Sequence, residues 1–337
     1  MLAGVFEQAG KFSLQERPVP VIQKADEVRI KVEAASICGT DVHILANPPG
    51  HPATAGVIQG HEYVGKVVEA GADVTNVKVG DRVVVDPTLT CGYCDYCQMG
   101  YVNMCEHMST MGIFVDGGWT SYSVVPARNV HKIADSVPPE IAVFAEPLSC
   151  VINGMDKIKV QPGESAVVLG AGPMGQMFIQ MLKAAGAGTI VAVDFSDYRL
   201  EYARISGANV TVNPKTSDVA KSVQDATKIG ADVVIDCVGS LFDQSLTLVR
   251  RGGQILLVGM NQHALPPIKQ NDITRYEVTV KGTYISNHTF PKVVKVMEAG
   301  LLNLERLITH RVPLERITEG IDVMKKGEAI KVIVQPA

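Results

Sequence analysis

SAVVLGAGPMG, residues 165–175, is a run of apolar β-formers that breaks off into three closely spaced glycines. Ala166 to Leu169 reads as a buried strand. After Gly170, Gly172 and Gly175 the pattern turns helical, with Met177, Phe178, Met181 and Leu182 on one face until glycine ends it. In G-x-G-x-x-G between strand and helix, the first glycine permits a tight turn. The second lets backbone approach a pyrophosphate, and the third lets the helix pack on the strand. Asp194 closes the next apolar run, TIVAVD, at about the 20-residue spacing of an acid that accepts the adenosine ribose hydroxyls. Gly170, Gly172, Pro173, Met174, Gly175 and Asp194 are therefore candidate cofactor contacts, with a plain structural turn as the alternative. A carboxylate in that place repels a 2′-phosphate, which predicts NAD over NADP. Arg199 either covers the adenine or is a solvated helix residue.

Outward from this turn, TIVAVD, ADVVIDCVG and GGQILLVG are further apolar runs separated by helical segments. That alternation predicts an α/β fold with a doubly wound parallel sheet. The chain before about residue 160 is written differently. EVRIKVE alternates apolar and charged residues, and GKVVEAG and GDRVVVDP are short β-type runs bounded by glycine, aspartate or proline. This half reads as a β-rich irregular barrel. The tail from His310 has a helix-then-strand pattern that need not belong to the parallel sheet. A length of 337 residues fits two domains, and 46% hydrophobic with 20% charged residues is ordinary for globular chains. A net charge of -4 leaves no electrostatic footprint for nucleic acid or an anionic membrane. Without a basic leader or an apolar run long enough to span a bilayer, a soluble cytoplasmic protein is expected.

Four of the seven cysteines, Cys91, Cys94, Cys97 and Cys105, follow C-x2-C-x2-C-x7-C within about residues 88–108. In a reducing compartment such clusters are metal ligands more often than disulfides. Four thiolates make a closed tetrahedral site, and zinc is its expected occupant, ahead of an iron–sulfur cluster or unrelated thiols. With no open position the metal staples a lobe and does no chemistry. A second constellation is spread along the first half: Cys38, Thr40, Asp41 and His43 in ICGTDVH, His61 and Glu62 in QGHEYVG, and Glu146 in FAEPLSC. One thiolate, one imidazole and carboxylates suffice for a zinc that keeps a position open and can polarise an alcohol oxygen. Cys150 and Cys237 are expected to be buried and inert. Trp119 in DGGWTSY either shapes a pocket or packs against the stapled lobe.

Taken in order, C-G-T-D-x-H, G-H-E with its downstream glycine, G-D-R-V, the four-cysteine lobe, D-G-G-W, the E-P segment and G-A-G-P-M-G resemble the zinc-containing medium-chain alcohol dehydrogenases. The resemblance covers the whole chain and points to the branch with sorbitol, threonine and other polyol or sugar-acid enzymes. It implies a GroES-like catalytic domain, 1–148 and 281–337, with a Rossmann domain, 149–280, inserted and the active site in the cleft between them. It also implies that Cys38, His61 and Glu62 ligate the catalytic zinc, with Glu146 alternating with Glu62 or water. Thr40 would pass the alcohol proton to His43 through a cofactor ribose hydroxyl. Two zinc ions per subunit, NAD, a small alcohol substrate and a homo-oligomer, dimer or tetramer, complete the expectation. The sorbitol-type F-R-Y segment is replaced here by Tyr284, Ile285 and Ser286, so polyol, sugar acid, polyol phosphate, threonine and simple secondary alcohol all stay open. A zinc-free reductase would lack both metal constellations. A non-catalytic NAD-binding relative would be expected to lose Cys38, His61 or Thr40, and this chain keeps them.

Overall fold

Ser165–Leu169 stands third in a six-stranded sheet of the computed structural model, which describes residues 1–336. In spatial order the strands are Val210–Val212, Thr189–Val193, Ser165–Leu169, Ala231–Asp236, Val249–Leu257 and Thr279–Gly282, all parallel. Numbered along the chain that order is 3-2-1-4-5-6, with the switch point beside the glycine turn, where ligands of such sheets bind. Helices on both faces keep the strands dry. Val167, Leu169, Val191, Val193, Val234 and Ile255 are buried in one core, which is why these segments read as apolar runs and do not alternate.

The chain divides into two compact units. The second holds the parallel sheet and comprises Cys150–Ile285 and Leu301–Leu307; the first holds the rest. These limits start one residue later than the expected 149–280, end later, and add residues 301–307. The sixth strand ends at Gly282, so the unit extends past residue 280. Residues 301–307 return to it because the Gln180 amide clamps the Asn303 backbone, accepting from its N–H at 2.8 Å and donating to its carbonyl at 3.2 Å.

In the first unit a seven-stranded sheet runs Ile308–Pro313, Lys331–Gln335, Glu27–Ile37, Tyr63–Ala70, Arg82–Val85, Val130–Lys132, and Tyr122–Pro126 pairs on Glu27–Ile37. Val28, Ile30 and Val32 alternate inward as the sequence pattern requires, and then every residue from Ala34 to Ile37 is buried. The tail strand Lys331–Gln335 lies inside this sheet, antiparallel to Glu27–Ile37 with Ile333 opposite Ser36. Trp119 is fully buried, donates its indole N–H to the Ser36 carbonyl at 3.1 Å and meets the Phe12 ring edge-on at 5.8 Å. It therefore belongs to the core of this unit. No helix among the described residues is long and apolar enough to cross a membrane.

Candidate active site

Cys38 ends the buried Glu27–Ile37 strand and caps the short helix Gly39–Ile44. Its backbone N–H donates to Asp41 Oδ2 at 2.8 Å, so the carboxylate of the third helical residue holds the helix start in place. The other oxygen, Asp41 Oδ1, lies 3.3 Å from His61 Nδ1, and both residues are buried. With Nδ1 turned to a carboxylate, Nε2 is the nitrogen left to bind a metal. Burial alone would lower the His61 pKa, but the nearby Asp41 and Cys38 groups outweigh it and hold the imidazole well above its usual range.

Glu62 follows directly and is 1% exposed. Ligand atoms of Cys38, His61 and Glu62 lie within 4.8 Å of one another. A sulfur, a nitrogen and an oxygen gathered in one group, with Cys38 half-buried and the other two buried, fit a zinc ion with a position to spare. Two residues that sequence reasoning missed fix the carboxylate: the Ser36 hydroxyl and the Lys331 ammonium both donate to Glu62 Oε2. Burial would raise the Glu62 carboxyl, whereas Lys331 and then His61 bring it below its ordinary value.

Glu146, in the first turn of helix Ala145–Met155, is outside that convergent trio. It feels the charges of His61, Glu62 and Lys331, and burial pushes its carboxyl up to about 7. Thr40 is half-buried and His43 exposed on the Gly39–Ile44 helix, three residues apart and so on adjoining positions of one face.

The four-cysteine lobe is closed at its base by a small ladder in which Thr88 pairs with Thr110 and Leu89 with Ser109. The ligand atoms of Cys91, Cys94, Cys97 and Cys105 also lie within 4.8 Å of one another. Cys105 and Cys91 sulfurs are 3.6 Å apart; two sulfurs each about 2.3 Å from one tetrahedral ion would be roughly 3.8 Å apart. A hydrogen bond from the Cys97 backbone lowers the Cys94 thiol to about 6, and burial raises Cys97 to about 12. Cys150 and Cys237, expected to be buried, are half-buried, and Cys237 lies just past the strand Ala231–Asp236 rather than within it.

In the second unit Gly170 has φ +92°, a left-handed conformation that favours glycine. A side chain at Gly175 would put Cβ 1.9 Å from the Gly170 carbonyl, so only glycine lets the helix Pro173–Ala184 approach. At Gly172 the nearest atom to such a Cβ is Arg199 Nη1 at 4.0 Å. Packing does not demand that glycine, and the space it leaves over a helix N-terminus suits a pyrophosphate. Pro173 and Met174 form the first turn. Asp194 Oδ2 accepts from the Ala171 N–H at 2.9 Å and Oδ1 from the Ser196 N–H at 2.9 Å, which fastens the carboxylate beside the glycine turn. Arg199 Nη1 is 3.8 Å from Asp194 Oδ2, so its guanidinium faces the acid and is not a freely solvated group.

Residues 24–135 match the family model described as an alcohol dehydrogenase GroES-like domain, and residues 173–299 match that of a zinc-binding dehydrogenase. Among the most similar relatives is D-arabinitol dehydrogenase 1 of Uromyces fabae, 34% identical over 100% of this chain and 97% of that one. L-threonine 3-dehydrogenase of Bacillus velezensis is 36% identical over 98% and 97% of the two chains. Among solved structures, a zinc-binding dehydrogenase from Sinorhizobium meliloti bound to NADP superimposes with a TM-score of 0.94 at 32% identity, covering 99% of both chains.

Proposed function

Because the chain belongs to the zinc-dependent medium-chain alcohol dehydrogenases, we propose that Cys38, His61 and Glu62 hold the zinc at which this enzyme oxidises a secondary alcohol with NAD. This is an alcohol or polyol oxidoreductase that uses zinc and a nicotinamide dinucleotide. The observation carrying the residue assignment is the convergence of one half-buried thiol with a buried imidazole and a buried carboxylate, Asp41 orienting the imidazole. Zinc held there would supply a Lewis acid that favours loss of the alcohol proton, and a bound nicotinamide would supply the hydride acceptor.

Thr40 accepts the hydroxyl proton at its Oγ while giving up its own, which passes toward His43, exposed on the same helix and open to solvent. Glu146, half-buried within electrostatic reach of Glu62, is the carboxylate able to exchange with it. The four cysteines hold a second, structural zinc, and Asp194 favours NAD. The substrate is a polyol, a sugar acid or a related hydroxy compound. A homo-oligomer is proposed from one exposed apolar stretch after Val249–Leu257, where Met260, Leu265 and Ile268 are 70%, 92% and 42% exposed. Seven free thiols suit the cytoplasm.

The test is reduction of NAD by the zinc-loaded protein over a panel of D-arabinitol, sorbitol, L-threonine, sugar acids, polyol phosphates and secondary alcohols, beside a metal count. Two zincs per subunit and turnover that collapses in Cys38→Ser, with dinucleotide binding retained, are expected. One zinc per subunit, or turnover surviving that substitution, overturns the residue assignment.

A further inference from the structure

Lys331 opens the strand Lys331–Gln335 and is 3% exposed, an uncommon situation for a lysine. Its ammonium donates to Glu62 Oε2, which also takes the Ser36 hydroxyl, and lies 5.5 Å from the centre of the Phe144 ring. Glu62 thus has two cationic claimants: the lysine, delivered from the far end of the chain, and the metal that Cys38 and His61 would share with it. A thiolate and one carboxylate cancel the charge of a dication, and Lys331 then balances the Asp41 carboxylate buried beside His61. An ammonium already paired with Glu62 Oε2 opposes metal binding at that oxygen.

We infer that Lys331 is a positioning residue that competes with the metal for Glu62, keeping this carboxylate a weakly held ligand. The inference rests on the reading of Cys38, His61 and Glu62 as the zinc site. A buried lysine retained only as a core counter-ion makes the opposite forecast. Breaking a buried pair by removing one partner destabilises a protein, and a merely structural Lys331 would do so with or without metal. If the metal is the rival partner, loading it supplies Glu62 with a replacement charge.

The experiment compares wild type, Lys331→Met and Lys331→Arg by chelator competition for the exchangeable zinc, by the visible spectrum after Co2+ exchange, and by thermal unfolding of stripped and loaded protein. In Lys331→Met, zinc is expected to bind at least tenfold more tightly, the Co2+ bands to change, and kcat to fall. The loaded-minus-stripped difference in unfolding temperature should widen, because tighter binding adds to stability by mass action. Lys331→Arg should restore wild-type zinc affinity. Unchanged or weaker zinc binding in Lys331→Met, with equal destabilisation of stripped and loaded protein, would overturn the inference. If Lys331→Met does not accumulate folded, Ser36→Ala decides. It removes the other donor from the same oxygen and should tighten zinc several-fold; no tightening overturns the inference equally. Wild type carrying fewer than two zincs would instead refute the site on which it rests.

Discussion

At the scale of single residues, cofactor choice turns on one pair. Asp194 alone would repel a 2′-phosphate strongly, but Arg199 Nη1 stands 3.8 Å from its Oδ2 and cancels part of that field. The expected preference for NAD is therefore about tenfold to a hundredfold in kcat/KM, at about 1.4 kcal/mol per decade. Asp194→Gly should bring NADP to within a few-fold of NAD, since the freed guanidinium can then take the phosphate. Arg199→Ala should widen the gap. Steady-state kinetics with both cofactors check this, and equal use of the two by the wild type would exclude Asp194 as selector. Such pairs were only half visible in the sequence. Asp194 and Arg199 are near neighbours, so their association could be weighed from spacing. Lys331 could not, because a lysine opening the run KVIVQ reads as the polar end of a strand. Its partner Glu62 is 269 positions away, reached only through sheet pairing.

At the scale of elements, the parts that sequence disclosed are those whose chemistry is local. A parallel strand buried on both faces must be continuously apolar, and a turn whose third glycine sits 1.9 Å, through a notional Cβ, from a carbonyl admits no other residue. Both signals lie within eleven consecutive letters. The four-cysteine lobe is as local, its ligands spanning Cys91 to Cys105. It has little core of its own: Tyr93, Tyr96, Met99, Tyr101 and Met104 are between 42% and 69% exposed. A metal held by the four thiols would supply its order. Cys97→Ser should accordingly lower the unfolding temperature on the order of 5 °C or more, while chemistry in the folded remainder persists. The midpoint can be followed by fluorescence of Trp119, the one tryptophan, fully buried in the same unit. A variant of wild-type stability with selectively abolished turnover would show that the lobe is no staple. The trio of Cys38, His61 and Glu62 was less accessible, because it comes from two segments whose convergence the resemblance supplied and local pattern did not.

At the scale of the whole molecule, the apolar stretch around Leu265 and the order of the sheets matter most. A leucine 92% exposed, with Met260 and Ile268 in the same stretch, is costly to leave in water. Leu265→Asp is expected to shift the protein toward monomer in light scattering, without loss of zinc; an unchanged mass would move the interface elsewhere. Domain limits were readable only approximately. Where the chain re-enters the first unit depends on Thr279–Gly282 joining the parallel sheet, and the return of residues 301–307 rests on the Gln180 clamp, neither marked by composition. The placement of Lys331–Gln335 between Ile308–Pro313 and Glu27–Ile37 also sets a timetable for biosynthesis. Every strand of the parallel sheet has been translated by Gly282, but the sheet bearing Cys38 and Glu62 stays open until Gln335 emerges from the ribosome. At about 5–20 residues per second that interval is roughly 3 to 10 seconds. A nascent chain halted within it would have all its dinucleotide-binding strands while its alcohol site still awaited a strand, making that interval the time when its half-built barrel most needs a chaperone.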